Sequence, residues 1–203
     1  MSGRKGIYIE ADMALSILQE RAKVETKNRN PELSEEEITF ISKEISISAI
    51  RYFFIKFDLG KMITFDINES LSLEGDTASY IQYAYARGKR IEDKIIEASF
   101  LRKQDKIDNI IETDFSLTEI DLIKHICRYD MELKQAANNI DPKVLSKYLF
   151  QLATMFNNFY EKSPILKEKN EMMATYRALI LNSTLEILKI CMNLVGITPL
   201  MRM

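Results

Sequence analysis

The sequence predicts an all-α protein, a helical bundle with a short N-terminal linker region ahead of it. Three observations carry this. Glycine and proline are scarce, 6 and 4 in 203 residues, which disfavours turn-rich sandwiches, barrels and glycine-rich nucleotide folds. Apolar residues make up 46% of the chain and recur in several windows at helical spacing. Helix-start signals stand before those windows: two Ser-x-x-Glu capping boxes and an Asp-Pro pair. The composition also excludes function classes. Lys+Arg number 28 against 30 Asp+Glu, a net charge of −2, so nothing global marks a nucleic-acid binder and any basic surface must be local. One His and two Cys leave almost nothing for a metal site or a His-based triad. No uncharged apolar run approaches the ~20 residues that span a bilayer. The apolar patch Ile7-Tyr8-Ile9 is too short for a signal peptide. A cytoplasmic location is expected, with Cys127 and Cys191 as buried free thiols.

In chain order, Met1–Gly6 (MSGRKG) reads as basic and flexible. Ala11–Asn28 is a weakly amphipathic helix with Leu15, Leu18 and Ala22 on one side, closed near Asn30-Pro31. Ser34-x-x-Glu37 caps the next helix, where Ile38, Ile41 and Ile45 form the stripe. Ser46-Ile47-Ser48 interrupts that pattern and Ala49–Phe57 resumes it. Asp58-Leu59-Gly60 is a turn, and Lys61–Ile67 alternates as a short extended segment. A helix follows over Leu71–Glu97, with a break expected near Gly75-Asp76. Ser116-x-x-Glu119 starts another, running to about Asn138 with Leu122, Ile126, Tyr129, Leu133 and Ala136 as its stripe. Asp141 as N-cap and Pro142 at the first helical position open a third, carrying Leu145, Leu149, Leu152, Phe156 and Phe159. The last runs from about Asn170 to Val195, where Gly196 occupies the left-handed terminating position and Pro199 follows. The organisation expected is a linker region over 1–60 and a helical domain over 61–203.

The segment SYIQYAYARGKRIEDKI, Ser79–Ile95, carries the candidate chemistry. Ile81, Ala84, Gly88, Ile91 and Ile95 share one helix face and read as core. Tyr80, Tyr83, Arg87, Arg90 and Lys94 repeat the same spacing one residue earlier, on a stripe rotated by about 100°. Tyrosines can stack on unpaired bases while cations contact phosphates. On spacing alone a second reading stands beside it, in which the rings pack at the bundle edge and the cations are solvated. Arg87–Lys106 holds seven Lys/Arg against four Asp/Glu, a local excess in a chain of net −2. Arg4 and Lys5, with the amides of MSGRKG, could hold a polyphosphate. His125 and Cys127 are two apart on a helix and point in different directions, so no shared metal is expected.

These residues resemble the C-terminal part of an arginyl-tRNA synthetase, a class I aminoacyl-tRNA synthetase. Tyr80-x-x-Tyr83-Ala84-x-Ala86-Arg87 follows the family's motif and is the most specific match. Ala49-x-Arg51-Tyr52-Phe53 within Pro31–Phe53, Lys147–Tyr160, and the closing Arg177–Met203 are similar as well. MSGRKG is similar to the family's variant of the KMSKS loop. The resemblance implies an α-helical anticodon-binding domain of the DALR type and tRNA(Arg) as partner, with a monomer expected. It implies Tyr80, Tyr83, Arg87, Tyr160 and Met203 as anticodon contacts and Arg4 and Lys5 as remnants of an ATP-phosphate loop; Arg90 and Lys94, further along the stripe, are expected as phosphate contacts from their spacing. ATP with Mg belongs to the full enzyme, and no cofactor or metal is expected in this chain. The His-x-Gly-His signature and the strand-rich catalytic half are absent from the sequence, so the chain alone is expected to be catalytically inactive. The missing catalytic half is a possible partner. Two other readings remain open: assistance to aminoacylation in trans, with Arg4 and Lys5 on ATP, and a helical module repurposed to bind a protein.

Overall fold

A computed structural model describes residues 10–97 and 114–203. Among them there are eight helices and no strand. Helix α1 (Ala11–Arg29) and helix α2 (Glu35–Ile55) form an antiparallel hairpin. Its turn is closed by Asn30, whose amide and side chain both donate to the Thr26 carbonyl, and by the buried Leu33. Ser34 caps α2 as its sequence requires, its hydroxyl accepting the Glu37 amide at 3.3 Å while Glu37 accepts the Ser34 amide at 2.9 Å.

Helix α2 is continuous, so the break expected at Ser46-Ile47-Ser48 does not occur. The serines are fully buried there and their hydroxyls are satisfied. Ser46 donates to the Ser42 carbonyl at 2.6 Å, and Ser48 accepts from the Gln82 amide side chain and the Thr198 backbone N–H. Small hydroxylated residues therefore act inside the helix as contacts to two distant segments rather than as breakers. The Asp58–Gly60 turn is present, with Gly60 at φ +84°. Residues 61–66 follow without regular structure.

The break expected near Gly75-Asp76 occurs, and the main helix expected over Leu71–Glu97 starts only at Ala78. A single short turn of helix, α3 (Ile67–Leu71), is capped by Asp66, whose carboxylate accepts from Asn68 and Glu69 amides. After a turn with Gly75 at φ +80°, α4 (Ala78–Glu97) begins, Thr77 Oγ1 accepting the Tyr80 amide. The next expected helix also divides, into α5 (Leu117–Cys127) and α6 (Tyr129–Asn139). At the division the His125 carbonyl accepts from the Tyr148 hydroxyl at 3.1 Å and from the Arg128 amide, so the regular i→i−4 bond is replaced. Cys127, expected to be buried, is exposed; Cys191 is buried, and that burial pushes its thiol up to about 12. The helices α7 (Pro142–Lys162) and α8 (Glu171–Leu194) start at Asp141 and Asn170 caps, and α8 ends before Gly196 at φ +74°.

Packing follows the apolar stripes. The main core joins Ile81, Ala84 and Ile95 of α4 to Leu149, Leu152, Phe156 and Phe159 of α7 and Leu181, Leu185 and Leu188 of α8. Tyr52 of α2 enters the same core and donates from its hydroxyl to the Asp76 carboxylate at 2.5 Å and the Ser146 carbonyl at 3.1 Å. Gly88 sets the separation of α4 from its neighbours. A methyl group there would lie 2.6 Å from Leu185 Cδ2 and 3.1 Å from Phe156 Cζ, distances a packed core does not accommodate without displacement. A second core lies between α1 and α2, formed by Ala22, Leu33, Ile38, Ile41 and Ile45, and the chain's end returns to it through Leu200, with Met203 packed against it. That return is pinned by polar bonds: Arg51 to the Gly196 carbonyl, Gln82 to the Thr198 carbonyl and the Thr198 hydroxyl to Glu44. Among the described residues no helix is long and apolar enough to cross a membrane.

His125 is a structural residue. Its ring is buried and stacked on Tyr148 at 4.4 Å, and its Nε2 lies 3.2 Å from the Tyr148 carbonyl, which fixes the proton on that nitrogen in the neutral ring. Burial holds its pKa below the ordinary value, with the nearby Arg128 charge acting in the same direction; the bond to the Tyr148 carbonyl and the Glu132 charge oppose them. The folded state thus binds fewer protons than the unfolded chain just below pH 6.5. Stability is constant above that pH with respect to this group and falls as the solution is acidified, by up to about 1.4 kcal/mol per pH unit. Thermal melts between pH 8 and pH 5 should show this decline, and it should be smaller in His125→Gln.

Candidate nucleic-acid interface

The stripe singled out on α4 faces outward because the opposite face of the helix is consumed by the core. Ile81, Ala84 and Ile95 are at most 1% exposed, which leaves Tyr83, Arg90 and Lys94 at the surface and Tyr80 and Arg87 half-buried. The five residues do not form one uniform patch. Tyr80 tilts against Phe150 of α7, ring centroids 5.5 Å apart, so part of its π-face is already covered. Arg90 reaches across to the hairpin turn and donates to Asn30 at 3.2 Å.

Arg87 is the junction with α7. Its guanidinium carbon lies 3.6 Å from the centroid of the Tyr160 ring, and its Nη1 is 3.8 Å from a Glu161 carboxylate oxygen. Tyr160 and Arg87, separated by about a third of the chain, are therefore brought together as a stacked pair. The cation–π contact fixes the guanidinium plane, while the ion pair to a mostly exposed Glu161 is long and solvated, hence weak. A fixed planar donor group with a weakly held counter-charge is suited to exchange that carboxylate for a phosphate.

Met203 falls on the other side of Tyr83. Both line a cavity of about 700 Å³ bounded by α1, α3, the start of α4 and the returning chain end. The sequence reading placed Tyr83 and Met203 in one site, and the structure brings them to one cavity. It did not single out the residues of α1 and α3 that complete the wall, among them Arg21 and Asn68, which are hydrogen-bonded to each other. The only sequence signal on α1 was its weak apolar side, of which Leu18 and Ala22 are buried. Arg4 and Lys5 lie outside the described residues. Among the described residues no cluster of His, Cys, Asp and Glu could hold a metal ion.

Comparison with known proteins bears on this arrangement. Residues 81–203 match the model of the DALR anticodon binding domain. The arginine–tRNA ligase of Thermococcus sibiricus is 36% identical over 201 residues, covering 97% of this chain and 31% of the relative. That of Clostridium kluyveri is 32% identical over 203 residues, covering 100% of this chain and 35% of the relative. Among solved structures, the arginyl-tRNA synthetase of Thermus thermophilus superposes with a TM-score of 0.82 at 26% identity over 100% of this chain and 33% of its own. That of Plasmodium falciparum gives 0.76 at 27% identity, covering 96% of this chain and 34% of its own. The chain thus spans about a third of the length of the relatives it matches.

The stacked pair makes its own prediction. A double-mutant cycle of Arg87→Ala and Tyr160→Ala, read by chemical denaturation, should give a coupling of about 0.5–2 kcal/mol. A Glu161→Gln change should leave that coupling intact.

Proposed function

Because the chain belongs to the DALR anticodon-binding domain family, in the form carried by arginyl-tRNA synthetases, we propose that it recognises the anticodon loop of tRNA(Arg). The observation that supports the reading best is the α4 stripe: an exposed Tyr83, one turn from an Arg87 stacked on Tyr160, held outward by a fully packed opposite face. Unpaired bases of a loop present π-faces to Tyr83 and, after a modest ring shift, to Tyr80. The sugar–phosphate backbone meets Arg87, with Arg90 and Lys94 further along the same helix. In a chain of net charge −2 this local arrangement supplies what the overall charge does not. Tyr160 acts through Arg87 as much as directly, and Met203 offers an apolar contact beside Tyr83.

Ligation of arginine to tRNA, with ATP and Mg, is a property we place in the remaining two thirds of a full-length synthetase. Arg4 and Lys5 would add contacts to the ATP phosphates there, since paired cations among glycines suit a polyphosphate. In this reading the chain contributes recognition and not bond formation, acts as a monomer on tRNA(Arg), and belongs in the cytoplasm. Repurposing as a protein-interaction module has no support in the comparisons.

Binding of a tRNA(Arg) transcript should weaken when its central anticodon base is changed; equal affinity for the two transcripts would contradict anticodon reading. Tyr83→Ala removes a stacking partner worth about 1–3 kcal/mol, so affinity should fall roughly tenfold or more. Affinity should also decline with added salt, and less steeply in Arg87→Ala.

A further inference from the structure

Helix α7 packs on three sides and leaves the fourth to solvent. Leu149, Leu152 and Phe156 are fully buried in the core shared with α4 and α8, and Tyr148 is buried against His125 of α5. At ~100° per residue, Lys147, Gln151, Asn158 and Lys162 fall within an arc of about 60° on the opposite side. All four are exposed, and none makes a hydrogen bond or an ion pair among the described residues. From Lys147 to Lys162 the face runs about 22 Å along the helix.

The charge on this helix is one-sided. It holds three lysines and one acidic residue, Glu161, in a chain where Asp and Glu outnumber Lys and Arg by 30 to 28. Glu161 already faces Arg87 at 3.8 Å, and Lys143 is held by Asp58. The two cations left free are Lys147 and Lys162, one toward each end of the face, with two neutral amides between them. An ammonium group serves a phosphate as a compact charge. An amide both donates and accepts, and so suits phosphate oxygens and ribose hydroxyls. Phe150, at the edge of the face, is already packed against Tyr80, so the face offers cations and amides rather than a platform for stacking.

Two contacts fix where the face lies. Tyr80 meets Phe150 and Arg87 meets Tyr160, so α4 and α7 run side by side in the same direction, and the α7 face follows the α4 stripe along its length. A loop held on that stripe continues into its stem, and an RNA duplex is met through phosphates and ribose hydroxyls. Resting on the anticodon-loop reading, we infer that the outer face of α7 is a second contact surface, which takes the backbone of the anticodon stem. Lys147 and Lys162 meet its phosphates, and Gln151 and Asn158 meet phosphate oxygens and ribose hydroxyls. This contact reads no base: it adds affinity and sets the direction in which the stem leaves the loop.

The test uses the full 203-residue chain and the anticodon stem-loop RNA of tRNA(Arg), read by fluorescence anisotropy over a salt series. Lys147→Gln and Lys162→Gln should each flatten the slope of log affinity against log salt by about 1, and the double variant by about 2. The double variant should lose affinity by the same factor for the intact loop and for a loop with its central base changed, because the lost contacts read no base. Replacing the stem phosphates by uncharged methylphosphonates should erase the difference between wild type and double variant. Lys189→Gln removes an exposed charge from α8, which packs against the inner side of α7, and should leave the slope unchanged. Thermal melts of the lysine variants should match the wild type, since neither side chain has a partner within the chain. Slopes equal to the wild type in the α7 variants, a difference that persists in full on the methylphosphonate stem, or an equal loss in Lys189→Gln would overturn the assignment of this face. A wild type that binds the intact and base-changed loops equally would instead contradict the anticodon-loop reading itself.

Discussion

The close approach of α4 to α7 and α8 at Gly88 is the constraint on which the rest of the molecule depends. With no side chain at that position, Leu185 and Phe156 pack against the α4 backbone, and Ile81, Ala84 and Ile95 become fully buried. Burial of one complete face leaves the rotation of the helix no freedom. Tyr83 and Arg87 then point away from the core by geometry rather than by any contact of their own. A larger residue at 88 would have to displace the Leu185 and Phe156 side chains that fill this position.

A second level of organisation ties the hairpin to this helix. The chain end leaves α8 at Gly196 and crosses to the smaller core, held by Arg51, Gln82 and Thr198. Gln82 lies on α4 between Ile81 and Tyr83, so one residue of that helix holds the same tail that carries Met203 to the cavity. The buried serines of α2 complete the junction, Ser48 serving both Gln82 and Thr198. Buried polar networks of this kind are directional and specify a single arrangement more strictly than apolar contact does. The consequence is that Tyr83 and Met203, far apart in sequence, are held at one cavity by the fold itself.

Much of this was legible in the sequence because it is locally encoded. Ser34, Ser116, Asp141 and Asn170 each cap their own helix through bonds two or three residues away, and the stripe of α7 needs only its own periodicity. The misreadings share a different origin. Ser46 and Ser48 looked like an interruption because their partners are a helical turn back and more than thirty residues ahead. The division at Arg128 depends on the Tyr148 hydroxyl, supplied by another helix. Cys127 follows the half-buried Ile126 by one position, and a rotation of about 100° is enough to place it in solvent. The candidate stripe was visible as spacing. Its division into a stacked Arg87–Tyr160 pair and a cavity beside Tyr83 was not, since Tyr160, Met203, α1 and α3 meet there only through the fold.

Photo-crosslinking addresses the central claim directly. A tRNA(Arg) carrying 4-thiouridine in its anticodon loop, irradiated with the chain and digested, reports which peptides touch the loop. The account predicts crosslinks in the α4 segment containing Tyr80, Tyr83 and Arg87 and in the end of α7 containing Tyr160. Crosslinks confined to α5 and α6, with α4 untouched, would contradict it.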